Sequence, residues 1–368
     1  MSTRTLIVGG GIAGLAAAWA LARAGVRGVE LHEQDTQLAM HASSRNAAIL
    51  RTPMPDPVLE AAALEGAQLL RTPPRDLGAD SFVDANGVVL LGDPLHTPWL
   101  QRVVARPQTQ ALRADRLQAL HPLVRSVQPT IQQSATCVEQ AWLVPDEGSI
   151  RLGALLTALR SALEHYGVRV HTRSTITHLE PGRGAYDAQR RFYPADRLVV
   201  ATGAWAQPLA ASAGSTLRFQ PTRRHLLIAE AGRALDARWP VVWAEQAPFY
   251  ARVVTRGLLL SSCDEVAVDA QHAPVDPRVL STIVERAHAR LHVPAHLAVR
   301  HAWSCLRTHG PNERFVVGPD PLVPDLWFLA GLGGHGITCA LPTALMLAEW
   351  MTRGTCTHPL AAAFGPQR

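Results

Sequence analysis

The feature that most constrains this chain lies at its start. Thr5-Leu6-Ile7-Val8 is an apolar run, Gly9-x-Gly11-x-x-Gly14 follows, and Leu15-Ala16-Ala17-Ala18-Trp19 continues as an alanine-rich helical stretch. That order reads as strand, glycine turn, helix. Gly9 makes the tight turn, Gly11 lets the backbone approach a pyrophosphate, and Gly14 lets helix and strand pack closely. An anion then rests on the free N–H groups of the helix start, which includes Ile12 and Ala13. A second apolar segment, Gly28 to His32, ends in Glu33, placed to accept hydrogen bonds from the ribose of an adenine dinucleotide. No secretory leader is expected, because three clustered glycines break the apolar stretch and no convincing cleavage site follows.

The length of 368 residues allows two structural domains, and 47% hydrophobic with 18% charged residues is the balance of a folded globular chain. The formal charge is +5, but the basic residues are scattered without aromatic interleaving, so no nucleic-acid partner is expected. All 35 basic residues are arginine, which excludes a lysine Schiff base and lysine-anchored pyridoxal phosphate chemistry. The cysteines Cys137, Cys263, Cys305, Cys339 and Cys356 form no CxxC pair. Neither a disulfide framework nor a metal site is signalled, and a reducing cytoplasmic location is expected. The best candidate for a membrane span is interrupted by His335 and Pro342, so none is expected.

Along the chain, residues 40–51 read as a loop turning into a short serine-capped helix, and Pro57 to about Leu70 as an amphipathic helix. Asn86-Gly87 between two apolar runs signals a hairpin. Helices are predicted over 150–165, 277–291 and 337–353. Strands are predicted over 168–171, 175–179, 196 to the glycine at 203, 224–229, 241–243, 249–254, 258–261 and 327–331. No internal repeat is visible. The fold class is therefore α/β, with two interleaved domains.

The Gly9-to-Gly14 turn, Glu33, the Ser43-to-Arg51 segment, Ala201-Thr202-Gly203-Ala204-Trp205 and Gly331-Leu332-Gly333-Gly334-His335-Gly336-Ile337 occur in one order. In this the chain resembles the D-amino-acid oxidase superfamily of FAD enzymes, which includes D-arginine and other D-amino-acid dehydrogenases, glycine oxidase and sarcosine oxidase. The resemblance spans nearly the whole chain. It implies a glutathione-reductase-type, Rossmann-like FAD domain (1–55, 140–216 and 300–368). Interleaved with it would be an α+β substrate domain (56–139 and 217–299) whose antiparallel sheet roofs the flavin.

It further implies that Gly9, Gly11, Ile12, Ala13 and Gly14 hold the pyrophosphate and Glu33 the ribose. Ser43, Ser44 and Arg45 would follow the pyrophosphate and ribityl chain, Asn46, Ala47 and Ala48 the flavin ring, and Ile176 the adenine. Ala201, Thr202, Gly203 and Trp205 would complete the cofactor groove. Gly333, Gly334, His335, Gly336 and Ile337 would bring backbone N–H groups to the flavin N1–C2=O edge, where a helix start stabilises negative charge. Thr338 stands where sarcosine oxidase has a lysine.

Arg307 resembles the arginine that binds the substrate carboxylate, and Tyr250 the pocket tyrosine. Of the neighbours Arg223 and Arg224, Arg223 is favoured as the second carboxylate ligand. Cys305 precedes Phe315 by the interval of the flavin-linked cysteine of sarcosine oxidase. FAD is expected non-covalent, with a Cys305 link the alternative. The implied reaction is hydride transfer from an amino acid, a D-amino acid favoured, or a related secondary amine to flavin N5. The imine formed hydrolyses to a 2-oxo acid. Ile49 and Met54 suit an apolar side chain. The alternatives are an N-methyl amino acid oxidase, a 2-hydroxy acid dehydrogenase with His335 as base, and an electron-transferring flavoprotein subunit. Without lysine, a quinone-type acceptor is favoured over oxygen.

Overall fold

A computed structural model describes residues 3–125, 129–132, 135–138, 140–270 and 273–366. Thr5–Val8 sits inside a six-stranded sheet. The order is Arg169–His171, Val29–His32, Thr5–Val8, Arg197–Val200, Leu326–Ala330, Val316–Pro319. Every pairing is parallel except that of the last two strands. Alternation divides the first strand's side chains. Ile7, with Leu31, Val199 and Leu329, packs against the helices Ile12–Arg23, Leu152–His165 and Gly336–Arg353. Leu6 and Val8 face the other way, against Ile176, Leu179 and Ala185 of a three-stranded antiparallel sheet.

Two contacts bring the elements unusually close. A Cβ on Gly14 would lie 1.8 Å from the carbonyl oxygen of Gly9, so only glycine lets the first helix leave the turn at this angle. In the Gly336–Arg353 helix, Pro342 has no N–H to offer Thr338 four residues back. The carbonyl of Thr338 faces Gly66 of the Pro57–Arg71 helix, where a Cβ would stand 2.0 Å away.

The second sheet is mixed and has nine strands. At one end Gln220–Ala229 pairs with Val299–His309 over a long antiparallel ladder. Gly257–Ser261, Phe249–Val254, Val241–Ala244, Val88–Gly92 and Gln140–Val144 follow in order. Ile283, Ala287 and the adjoining Leu291 pack the Pro277–Arg290 helix onto it. The α/β class with parallel and antiparallel sheets is as expected from the sequence. Gln140–Val144 and Val299–His309 are strands of this second sheet, so we propose domain limits near 145 and 310 rather than 140 and 300. Among the described residues no helix is long and apolar enough to cross a membrane.

Two local expectations are corrected. Asn86-Gly87 closes no hairpin: Val83–Asp84 pairs with Ser149 and Ile150, while Val88–Gly92 pairs with Gln140–Val144 and Val241–Ala244. Asn86 instead ties distant segments, its Oδ1 accepting from Ser149 N at 3.0 Å and its Nδ2 donating to Trp239 O at 2.8 Å. Nor does a helix follow Ser43. The segment is a series of turns leading to the short strand Ile49–Leu50. Ser43 caps a different helix, its Oγ accepting from Ile12 N at 2.9 Å.

Gly66→Ala is expected to destabilise the protein by about 1–3 kcal/mol, the cost of overpacking against a rigid backbone. Gly153→Ala, exposed in a helix with open space around it, is expected to be neutral or to stabilise by up to about 0.5 kcal/mol. Denaturant unfolding of both variants checks the contrast.

Candidate active site

The carboxyl ends of Thr5–Val8 and Arg197–Val200 open into a cavity of about 370 Å³. Gly9, Gly11, Ile12, Ala13, Glu33, Ser43, Ile176, Ala201, Thr202, Gly203, Trp205, Gly333 and Gly336 line it, and Arg307 closes one side. Gly9 takes φ +108° and lies against Ala201, whose carbonyl would be 2.5 Å from an added Cβ. The Glu33 carboxylate pins the glycine turn: Gly10 N donates to Oε2 at 2.7 Å and Asp35 N to Oε1 at 2.9 Å. A Cβ on Gly10 would lie 2.9 Å from that oxygen, a constraint that the spacing of the other three glycines did not reveal.

Other expected cofactor residues stand back from this cavity. Ser44 and Arg45 are exposed. Asn46 builds its own turn, donating from Nδ2 to Ala42 O and Ser43 O while its Oδ1 accepts from Ala48 N. Ala47 and Ala48, the latter at φ +49°, accept from the Arg252 guanidinium through their carbonyls. Ile337 is half-buried and Thr338 buried within the Gly336–Arg353 helix.

At the far side the long ladder sets the chemistry. Thr222 is opposite Arg307 and Arg224 opposite Cys305, so these four residues share one face of the sheet. Arg223 belongs to the other face. Its guanidinium reaches Pro274 O at 3.1 Å and Asp276 at 3.5 Å, which corrects the expectation that Arg223 points inward. Arg224 does so instead: a Cβ on Gly334 would sit 3.9 Å from both Arg224 Nη1 and Arg307 Nε. Arg224 is steadied by Asp264 O at 3.2 Å and by Glu265 at 3.5 Å. Arg307 Nη1 donates to Cys305 Sγ at 3.1 Å, and its Nε is buried without a partner.

Around this pair, Tyr250 is buried and stacks on Trp243 with ring centres 5.1 Å apart. Burial, with Cys263 adding to it, raises its phenol above the ordinary value. Arg51 lies over Trp243 at 4.1 Å and pairs with Glu245 at 3.6 Å. Glu265 is held ionised down to about pH 2, chiefly by its hydrogen bond with His309 and further by Arg224 and Arg307. His335, at the start of the Gly336–Arg353 helix, is pushed down to about 3, first by burial and then by Arg51, Arg224, Arg307 and His309. It is therefore neutral at working pH. Arg51, Trp243, Glu245, Glu265 and His309 carry no motif spacing, and only their place in the fold brings them here.

A family profile described as FAD dependent oxidoreductase (DAO) matches residues 4–350. The chain belongs to that family. FAD-dependent oxidoreductase domain-containing protein 1 of Bos taurus is 24% identical over 408 residues, covering 95% of this chain and 81% of the relative. Among solved structures, glycine oxidase of Geobacillus kaustophilus has a TM-score of 0.80 at 21% identity, covering 100% of this chain and 98% of that one. Iminodiacetate oxidase of Chelativorans sp. BNC1 has a TM-score of 0.82 at 21% identity, covering 99% and 100%. Of three longer curated relatives this chain spans only 36%, 41% and 43% of their length.

The protein is thus an FAD-dependent oxidoreductase, and its residues fit that cofactor. The glycine turn has no room for side chains, and the buried Thr202 Oγ1 and Arg307 Nε, both without a protein partner, belong to residues that line the cavity.

Because His335 is neutral down to about pH 3, His335→Asn is expected to leave the shape of the pH–kcat/KM profile unchanged between pH 5 and 9. An acid limb lost in the variant would show that the imidazole titrates there. Stability should differ. The unfolded imidazole takes a proton near pH 6.5 while the folded one resists to about 3. Its contribution is present above pH 6.5 and lost as pH falls through that window. Denaturation midpoints against pH should fall less steeply there in the variant.

Proposed function

We propose that this chain oxidises a small amino acid or secondary amine bearing an α-carboxylate, with a D-amino acid as the favoured substrate. The observation that carries the reading is the convergence of Arg224 and Arg307 on Gly334 beside the cavity. Glu265 already pairs with Arg224, and Arg307 Nε is left without a partner; an anionic ligand at this place would answer both guanidinium groups, and a carboxylate matches their fork geometry. Proposed for the cofactor are the glycine turn and Ile12–Ala13 at the pyrophosphate, Glu33 toward the ribose, and Ile176 toward the adenine. Ala201–Trp205 and the Gly333–Ile337 start of the last long helix complete the set. Bound there, FAD supplies a two-electron hydride acceptor.

The protein's part is orientation. Arg224 and Arg307 fix the carboxylate, and Tyr250, protonated throughout the working range, has a hydroxyl to offer the same group. A clamped carboxylate aims the Cα–H bond, and such positioning alone accounts for a large share of rate. An amine that binds uncharged needs no protein base, and the imine product hydrolyses in water to the 2-oxo acid. Oxidation of a 2-hydroxy acid would need a base near pH 7. His335, with a pKa of about 3, is far too weak a one, which supports the amine reading.

Trp243, Ile49 and Tyr250 pack together on the roof and favour a compact apolar substituent. Met54 lies in the core of the other layer and is not proposed as a pocket residue. A non-covalent FAD is favoured, with a link through Cys305, whose sulfur accepts from Arg307, the alternative. The lack of any lysine together with a neutral His335 favours a quinone-type electron acceptor over oxygen, with Arg51, Arg224 and Arg307 the cations left that could serve an oxygen reaction.

Arg224→Ala and Arg307→Ala are each expected to weaken carboxylate substrates by about 2–5 kcal/mol in kcat/KM, the cost of breaking a buried charge contact. Arg223→Ala should match the parent. Anaerobic flavin bleaching over D- and L-amino acids, N-methyl amino acids and hydroxy acids identifies the substrate. Bleaching by hydroxy acids alone would overturn the reading.

Acid precipitation should leave the flavin in the supernatant; yellow precipitate lost in Cys305→Ser would establish a covalent link. Photoreduced enzyme mixed with oxygen or with a quinone analogue should reoxidise faster with the quinone, and the reverse order would make it an oxidase.

A further inference from the structure

At the rim of the cavity, whose lining includes His32 and Ser174, two imidazoles and a carboxylate meet on one face of the six-stranded sheet. Glu30 and His32 stand two apart on Val29–His32, so their side chains point the same way. In the parallel register His171 lies opposite His32 and Arg169 opposite Glu30. The donor atoms of Glu30, His32 and His171 all lie within 4.8 Å of one another. His171 Nε2 is 3.1 Å and His32 Nε2 3.8 Å from the same oxygen, Glu30 Oε2. The other oxygen, Oε1, is taken by Arg169. The two rings lie nearly parallel, with centres 4.5 Å apart. Tyr193 presses its ring against His32 edge-on.

His32 is completely buried. Its Nδ1 is 2.8 Å from Ser174 Oγ, while its Nε2 is buried with no hydrogen-bond partner. In the tautomer in which Nδ1–H donates to Ser174 Oγ, the buried Nε2 carries a lone pair that meets no donor. A serine on the second nitrogen is the kind of contact that fixes the tautomer of a metal-ligating histidine.

We propose that Glu30 Oε2, His32 Nε2 and His171 Nε2 bind one divalent ion of the zinc class, independently of the substrate reading above. Two imidazoles and a carboxylate are donors that suit zinc, and three protein ligands leave one tetrahedral position for water. His171 and Glu30 are 38% and 18% exposed, which gives the ion a path in and the water a place. Bonds of about 2.0–2.1 Å put the donors of a tetrahedral site roughly 3.3 Å apart, so the Glu30 carboxylate has to close on His32 from 3.8 Å and the accessible His171 ring has to turn out of its stack to aim Nε2 at the same point. The ion would join two strands that lead directly to Glu33 and Ser174 at the cofactor cavity.

The test uses the FAD-loaded protein, stripped of metal and titrated with zinc against a chromophoric chelator, then with Co²⁺ for the visible bands of a four-coordinate site. One zinc per chain is expected, with a rise in thermal midpoint and unchanged flavin absorbance. His171→Ala and Glu30→Gln should each weaken zinc at least tenfold and abolish the rise. His178→Ala, exposed on the neighbouring sheet, should not. His32→Ala removes a buried ring and is expected to unsettle the fold, so the two accessible variants carry the test. Equal zinc uptake by the parent and His171→Ala, or no four-coordinate cobalt bands, would overturn the proposal.

Discussion

Everything at the candidate active site depends on holding positive charge out of water. Arg51, Arg224 and Arg307 all act on the same His335 ring. Guanidinium groups so placed repel one another and lose hydration, and a fold tolerates this only where compensation is built in. Here it is: Glu245 pairs with Arg51, Glu265 with Arg224, and Arg51 lies on the face of Trp243. Among the described residues Arg307 has the weakest compensation, a cysteine sulfur and a neighbouring carbonyl as acceptors and Glu265 acting on it without a direct pair. It is accordingly the group most in need of an anion. The same field keeps His335 neutral, so the helix start behind it presents backbone dipoles and not a second titrating charge.

The cofactor end rests on the opposite device, the removal of side chains. Gly9, Gly10 and Gly14 each stand where a Cβ would strike Ala201, Glu33 or Gly9 itself. Turn, strand and helix therefore interlock through backbone, and Glu33 and Ser43 finish the turn from outside by accepting from Gly10 N and Ile12 N. Chemistry that needs charge is set on a sheet face, where alternation spaces side chains. Chemistry that needs close approach is set on a turn, where they are absent.

How much of this was legible in the chain follows from the range of each signal. The strand–turn–helix at Gly9 is encoded within fifteen residues and reads directly, as do most helices and strands. Arg307 was legible through its motif neighbours. The choice between Arg223 and Arg224 was not, because adjacent strand residues differ only in parity, and parity is fixed by a partner strand some 80 positions away. The Asn86-Gly87 turn misled for the same reason. Its chemistry is that of a hairpin, but Asn86 spends its side chain on Ser149 and Trp239. Ser43 was recognised as a cap, though of the wrong helix. Arg51 and Glu265 had no sequence signal, since their importance comes from the charges that long-range packing brings beside them.

The order of strands in the six-stranded sheet has a consequence for how the protein comes into being. Its central strand, Thr5–Val8, is made before the sheet's other strands, yet its neighbours are Val29–His32 and Arg197–Val200, and the sheet is finished only by Leu326–Ala330. The cavity takes lining residues from Val8 through Gly336. No partial product of translation that stops short of Gly336 contains it whole. Contacts this distant in sequence form slowly, so the glycine turn, early in the chain, meets the last of the cavity's lining only once Gly336 has been made.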